Sequence, residues 1–247
     1  TLLFRTKIKR ERSTAPSESS LIYYADTSSK LEALYHQLTL LFGKECFHYW
    51  QVTLIPAFKS LLVSFNVLVT DHVEIAQVII NNSAVNTQRT ESAAKEVSLP
   101  VFYDETLVPD LLRVAKLCQL TTDQVRKIHA SMQYKVEAIG FAPGFGYLGQ
   151  LEPKLAVPRL TTPRLQVPKG SVAIANNQTA VYPDVSPGGW HIIGYCPLAL
   201  FDRQAQQPLL YNVGDTVSFK AISRQEFVNQ GGDLTALRQF AQGEKIA

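Results

Sequence analysis

The stretch from Gly140 to Asp202 constrains this chain more than any other: it holds more than half of the thirteen glycines and of the thirteen prolines in 247 residues. Glycine admits backbone conformations closed to other residues, and proline fixes φ while removing a donor, so the path of this segment is set locally. Short apolar runs lie between the stiff points. Ser171 to Ala175 reads as a buried strand, Asn176-Asn177 as a tight turn, and Ile192-Ile193 as a strand that follows the rigid loops Tyr182-Pro183 and Ser186-Pro187-Gly188-Gly189-Trp190. From Tyr134 to Phe219 nearly every segment is strand and turn, which predicts a closed or nearly closed β-barrel.

The same stretch carries the candidate binding groups. Phe141, Pro143, Phe145 and Tyr147 alternate with small residues, so an extended backbone would project them to one side, as an aromatic wall or as barrel core. Proline-cation pairs recur every five residues at Pro158-Arg159, Pro163-Arg164 and Pro168-Lys169. A stiffened backbone lowers the entropy lost when a cation grips a carboxylate or phosphate. In a continuous strand that spacing puts Arg164 opposite Arg159 and Lys169, so the three meet one anion only if the chain bends; a solvated or locally paired role is the competing reading for each.

Upstream, Leu21 to Tyr24 reads as strand, and Ser29 with Glu32 as a capping box for a helix that carries Leu31, Leu34, Tyr35, Leu38 and Leu41 on one face and ends at Gly43. Trp50 to Ile55 and Leu61 to Phe65 are apolar strands, and Asp71 caps a second helix bearing Val73, Ile75, Val78 and Ile79. Asn82 to Glu96 is polar loop and Val97 to Tyr103 a further strand. The order β-α-β-β-α-β predicts a ferredoxin-like unit. Two short helices follow, Asp110 to Leu120 and Thr122 to Ser131, with Thr121 or Thr122 as cap of the second. His129 lies near the apolar face of that helix, as a packed histidine or a catalyst. The expected organisation is therefore α+β: a basic extension over 1–20, a ferredoxin-like domain over 21–98, a β-barrel domain over 99–235 and a tail over 236–247.

Bulk properties exclude several classes. A net charge of +3, with much of the surplus in the first residues, gives no nucleic-acid footprint, and no apolar run is long enough to span a membrane. Cys46, Cys118 and Cys196 are odd in number, far apart and without a CxxC, which argues against a disulfide framework or a structural zinc and predicts a cytoplasmic protein. No phosphate-binding GxxxxGK loop, GxSxG elbow, HExxH or GxGxxG occurs, and His36, His48, His72, His129 and His191 are scattered rather than set at metal-ligand spacing.

The runs GFAPGFGYL, PRLTTPR, VPKGSV, QTAVYP, SPGGWHIIG and PLALFD, together with Pro109-Asp110-Leu111 and Gly214-Asp215-Thr216-Val217, resemble the family known as the B subunit of 5-oxoprolinase, as allophanate hydrolase subunit 1 and as sporulation-kinase inhibitor. This is a carboxyltransferase-domain family, subdomains C and D, found also within urea carboxylase, and the resemblance covers roughly residues 20 to 227. Three departures stand out: Gly146 replaces a usual proline, Asn176-Asn177 a usual glycine pair or Gly-Arg, and Ala180 the glycine of a QTG run.

The resemblance implies a cyclophilin-like barrel and one subunit of an ATP-dependent 5-oxoprolinase, opening the lactam of 5-oxoproline to glutamate beside companion subunits of the C and A types, with ATP as co-substrate of the complex; the sequence itself predicts no metal or organic cofactor. On that footing Arg159 and Arg164 are expected anion binders, Gln178 and Thr179 polar orienters, His129 a proton carrier, and Phe145, Tyr147, Pro183 and Trp190 walls of the site. An allophanate-type amidohydrolase with carboxyl transfer as its relative, and a non-enzymatic inhibitor of a histidine kinase, are the alternatives.

Overall fold

A computed structural model describes residues 19–83 and 94–246, which fall into two compact units, one on each side of the break. The expected N-terminal extension lies outside the described residues apart from Ser19 and Ser20, and so does most of the expected loop from Asn82 to Glu96.

The first unit runs β1 (Ser20–Tyr24), α1 (Ser28–Phe42), β2 (Thr53–Ala57), β3 (Ser60–Ser64) and α2 (His72–Ser83). Its strands pair antiparallel in the order β1-β3-β2. The helices close a small core in which Leu31, Leu34 and Leu38 of α1 and Ile75 and Ile79 of α2 are buried with Leu61 and Val63 of β3. Three details correct the sequence reading. The cap of α1 is Thr27, whose hydroxyl accepts from the Lys30 amide, and Ser29 already lies inside the helix. Residues Glu45–Trp50 form a 3-10 helix, so the strand starts only at Thr53. The run expected as the last strand of a ferredoxin-like unit is β4 (Glu96–Phe102), and it pairs with strands of the second unit. Asp71 does cap α2, its carboxylate accepting from the Val73 and Glu74 amides.

The second unit continues with α3 (Leu111–Leu117), α4 (Thr122–Ser131), β5 (Gln133–Ile139), β6 (Gly146–Gly149), β7 (Arg164–Val167), β8 (Ser171–Ala175), β9 (Gln178–Val181), β10 (Ser186–Gly188), β11 (His191–Tyr195), β12 (Thr216–Ile222), α5 (Arg224–Asn229) and α6 (Leu234–Ile246). Seven strands close a barrel in the order β5-β12-β4-β11-β8-β9-β6, with β6 returning to pair with β5. Only β12 and β4 run parallel within it. Closure removes both sheet edges, which is how a sheet of short strands avoids exposing unpaired backbone. The strands β7 and β10 pair outside the barrel as a two-stranded ribbon.

Local sequence accounts for these elements. Thr121 and Gln124 form a reciprocal capping box at the start of α4. Asn176 adopts φ 53°, leaving Asn176-Asn177 as the two-residue turn between β8 and β9. The residues expected as a tail instead belong largely to α6, whose Leu237 packs into the barrel unit's core. Among the described residues no helix is long and apolar enough to cross a membrane.

Candidate functional site

The loop that joins β5 to β6 folds back on itself, with the Gly140 amide donating to the Phe145 carbonyl at 3.1 Å and the Phe145 amide to the Ala142 carbonyl at 3.0 Å. Gly144 sits at φ 83°, and a Cβ there would stand 3.0 Å from Cβ of Phe201 and 3.1 Å from the Leu200 carbonyl, so only glycine lets the two loops approach. The buried Tyr211 locks the turn by donating its hydroxyl to the Gly144 carbonyl at 3.0 Å. Its ring fills the space over Gly146, where a Cβ would come within 2.6 Å of Cε2. A side chain at position 146 would therefore displace that ring.

The two loops enclose an open cleft of about 830 Å³. Its walls are Phe141, Pro143, Phe201, Pro208 and Leu209, and its polar groups are the side-chain amides of Gln206, Gln207 and Asn212. Among the described residues that line it none is ionisable. Phe141 combines φ 74° with 60% exposure, a conformation rare for a bulky residue and an exposure unusual for a ring of this size.

Behind Phe141 lies an aromatic cluster centred on Phe145, whose ring is 5.0 to 5.9 Å from those of Phe141, Tyr147, Tyr182 and Trp190, all edge-on. Phe145 and Trp190 are 2% and 4% exposed, so the expected wall is core, and of this cluster it is Phe141 that reaches solvent most openly. Burial raises the Tyr182 phenol to about 12 despite the nearby guanidinium of Arg159. Arg159 is exposed and lies over the Trp190 ring at 5.8 Å.

Arg164 faces elsewhere. Its guanidinium donates to Asp110 Oδ1 at 2.9 Å, with both side chains nearly buried, while Asp110 Oδ2 accepts from the Ile192 amide at 2.8 Å. One carboxylate thus ties the ribbon strand β7 to the start of α3 and to β11. Beside it, His191 donates Nε2–H to the Pro158 carbonyl at 2.9 Å, and burial lowers its pKa against the opposing pull of Asp110. The expectation that Arg159 and Arg164 grip one anion is therefore corrected: Arg164 is committed to a buried ion pair with a residue 54 positions away.

His129 and Thr179 meet, but in the interior. His129 is fully buried and stacks on Phe219 at 4.4 Å. The Thr179 hydroxyl donates its one proton to the Ala173 carbonyl, so it accepts from His129 Nε2–H at 2.9 Å, leaving Nδ1 to accept from the Tyr103 hydroxyl at 2.8 Å. Burial pushes the His129 pKa down to about 3, and the imidazole is neutral and enclosed rather than poised to carry protons to a ligand. Of the remaining candidates, Gln178 is half-buried at the start of β9, Pro183 is buried, and Tyr147 is half-buried against Trp190. Sequence reasoning passed over Asp110, Tyr211 and Phe201 as site residues. Nothing local marks them, because each acts through a partner far away in the chain.

The arrangement combines an uncharged cleft, a strained ring at its edge and an exposed arginine beyond the aromatic cluster, with no acid or base among the described residues that line the cleft. Residues 14–211 match the sequence profile of the family described as carboxyltransferase domain, subdomain C and D. The chain is 39% identical over 183 residues to a Bacillus subtilis protein named as the B subunit of 5-oxoprolinase, an alignment covering 70% of this chain and 76% of that one. An Escherichia coli O157:H7 protein of the same name is 44% identical over 54% of this chain and 61% of its own. The crystal structure of a protein designated TTHA0988 superposes with a TM-score of 0.71 at 28% identity, over 83% of this chain and 40% of that longer one.

Proposed function

This chain belongs to the carboxyltransferase-domain family, subdomains C and D, and on that premise we propose that it is a B-type subunit of a 5-oxoprolinase, hydrolysing the lactam of 5-oxoproline to L-glutamate with ATP beside partner subunits of the A and C types. The observation that carries this reading is the 39–46% identity to relatives named as the B subunit of 5-oxoprolinase. A cleft without ionisable lining supports a division of labour, in which this subunit holds uncharged surface and the partners supply the groups that move protons.

Opening a stable lactam breaks its C–N bond: transfer of a phosphoryl group from ATP to the carbonyl oxygen, releasing ADP, makes the carbonyl carbon electrophilic. Water adds there, the ring nitrogen leaves with a proton as the amine, and hydrolysis of the remaining acyl phosphate yields glutamate and phosphate. The cleft does not fit ATP itself. A triphosphate needs cations or a row of backbone amides, and the lining offers neutral side chains while Arg164 is held by Asp110. We therefore assign ATP to another subunit, and to this one the ligand-facing surface made by Phe141, the two loops and the exposed Arg159. His129 and Thr179 serve as the hydrogen-bonded interior that holds α4 to β9. The domain division follows the two compact units, with the barrel unit carrying the site, and the cytoplasm is the setting in which ATP is at hand.

The test is reconstitution with A- and C-type subunits of a 5-oxoprolinase. ATP-dependent glutamate release is expected from the full set and absent when this chain is withheld. Consumption of allophanate instead, or no turnover by an assembled complex, would overturn the reading.

A further inference from the structure

We propose that Phe141 is the ligand-stacking residue of the cleft, its ring receiving the flat, uncharged face of a bound amide. This rests on the 5-oxoprolinase reading for the identity of the amide but not for the stacking itself. Three observations converge. The backbone of Phe141 is in the left-handed region at φ 74°, which opposes the preference of a bulky side chain. The ring is 60% exposed, so burial alone does not repay that conformation. And the strained backbone holds the ring at the wall of a cleft with no ionisable lining, braced edge-on by Phe145 at 5.2 Å and Tyr182 at 6.5 Å.

Charge then separates two halves of the recognition problem. An acid such as 5-oxoproline presents an amide plane and a carboxylate, and this cleft offers a partner for the plane only. The selectivity assigned to Phe141 is for an uncharged planar amide, and the carboxylate is gripped by groups outside the cleft.

Three variants separate stacking from mere stability. Phe141→Ala and Phe141→Gly both remove the ring, but only glycine also relieves the left-handed backbone, so Phe141→Gly is expected to melt about 2–4 °C above Phe141→Ala. Both are nonetheless expected to raise KM for 5-oxoproline about tenfold in the reconstituted complex, with kcat little changed, because stacking is lost equally. Phe141→Tyr keeps the flat face and should retain the original KM. In parallel, the isolated chain is titrated with 2-pyrrolidinone, an uncharged lactam, with binding followed by NMR chemical shifts of the loop amides; saturable shifts are expected in the original chain and not in Phe141→Gly. Unchanged KM in an active complex containing Phe141→Gly would overturn the stacking role while leaving the enzyme reading intact. A complex inactive even with the original chain, alongside pyrrolidinone binding that depends on Phe141, would sink the enzyme reading and leave the stacking. Variants that assemble poorly with the partner subunits at unchanged KM would make Phe141 an assembly residue and overturn the proposal, as would absence of pyrrolidinone binding together with an inactive complex.

Discussion

His129 spends both ring nitrogens on neutral partners and has no access to solvent, so its ionisation is linked to folding rather than to a ligand. Its folded pKa of about 3 lies below the ordinary 6.5, so the unfolded chain takes up a proton that the folded one refuses. Above pH 6.5 both states are neutral and the full stability is present. As pH falls from 6.5 towards 3, His129 removes about 1.4 kcal/mol per unit. Thermal midpoints measured between pH 7 and 4 should therefore fall, and in His129→Gln the slope over this range should flatten, even though the variant starts from a lower midpoint. An unchanged slope would mean that other groups carry the acid sensitivity. The sequence pointed to His129 through its place on α4, but whether it was packed or catalytic depended on Thr179 and Tyr103, neither of which lies near it in the chain. Arg164 repeats the lesson: proline on its flank predicted a stiff cation, and only the fold supplied Asp110.

At the scale of elements, the β5–β6 loop forms one wall of the cleft, and the Asp110 junction ties β7 to α3 and β11 away from its lining. Gly146 and Tyr211 are fitted to each other, so Gly146→Ala is expected to cost about 1–3 kcal/mol by over-packing, as read from denaturant midpoints. Combining it with Tyr211→Leu should cost less than the sum of the two single changes; strict additivity would show that the ring is not the obstacle. Removing the carboxylate in Asp110→Ala takes one charged partner from the nearly buried Arg164 and should cost about 3–5 kcal/mol, while KM in the reconstituted complex stays unchanged. A raised KM with intact stability would return Arg164 to the role of ligand binder. Elements with strong local signals were legible: the ends of α4, the Asp71 cap and the Asn176-Asn177 turn all follow from residues within a few positions. The destination of Val97 to Tyr103 was not, because an apolar strand encodes burial without naming its neighbour, and β4 found β12 and β11 more than ninety residues downstream. Nor was the fate of Phe145 and Trp190, since period-two spacing describes a face equally well whether it looks outward or into a core.

Across the whole molecule, a closed barrel carries an uncharged cleft at its β5–β6 loop and keeps its most distinctive histidine inside. On the reading proposed above, this body would hold part of a ligand and leave the proton-moving groups to partner subunits. The alignments cover 76% of the Bacillus subtilis relative and 61% of the Escherichia coli one, whereas the superposition covers 40% of TTHA0988, where this region is joined to substantially more protein. The account is tested most directly by titrating this chain into fixed amounts of A- and C-type subunits and measuring phosphate release in the presence of 5-oxoproline. It predicts no 5-oxoproline-dependent release before the chain is added, then a rise that saturates as the chain matches its partners in amount. Release that is already complete without the chain, or that never appears at saturation, would contradict it.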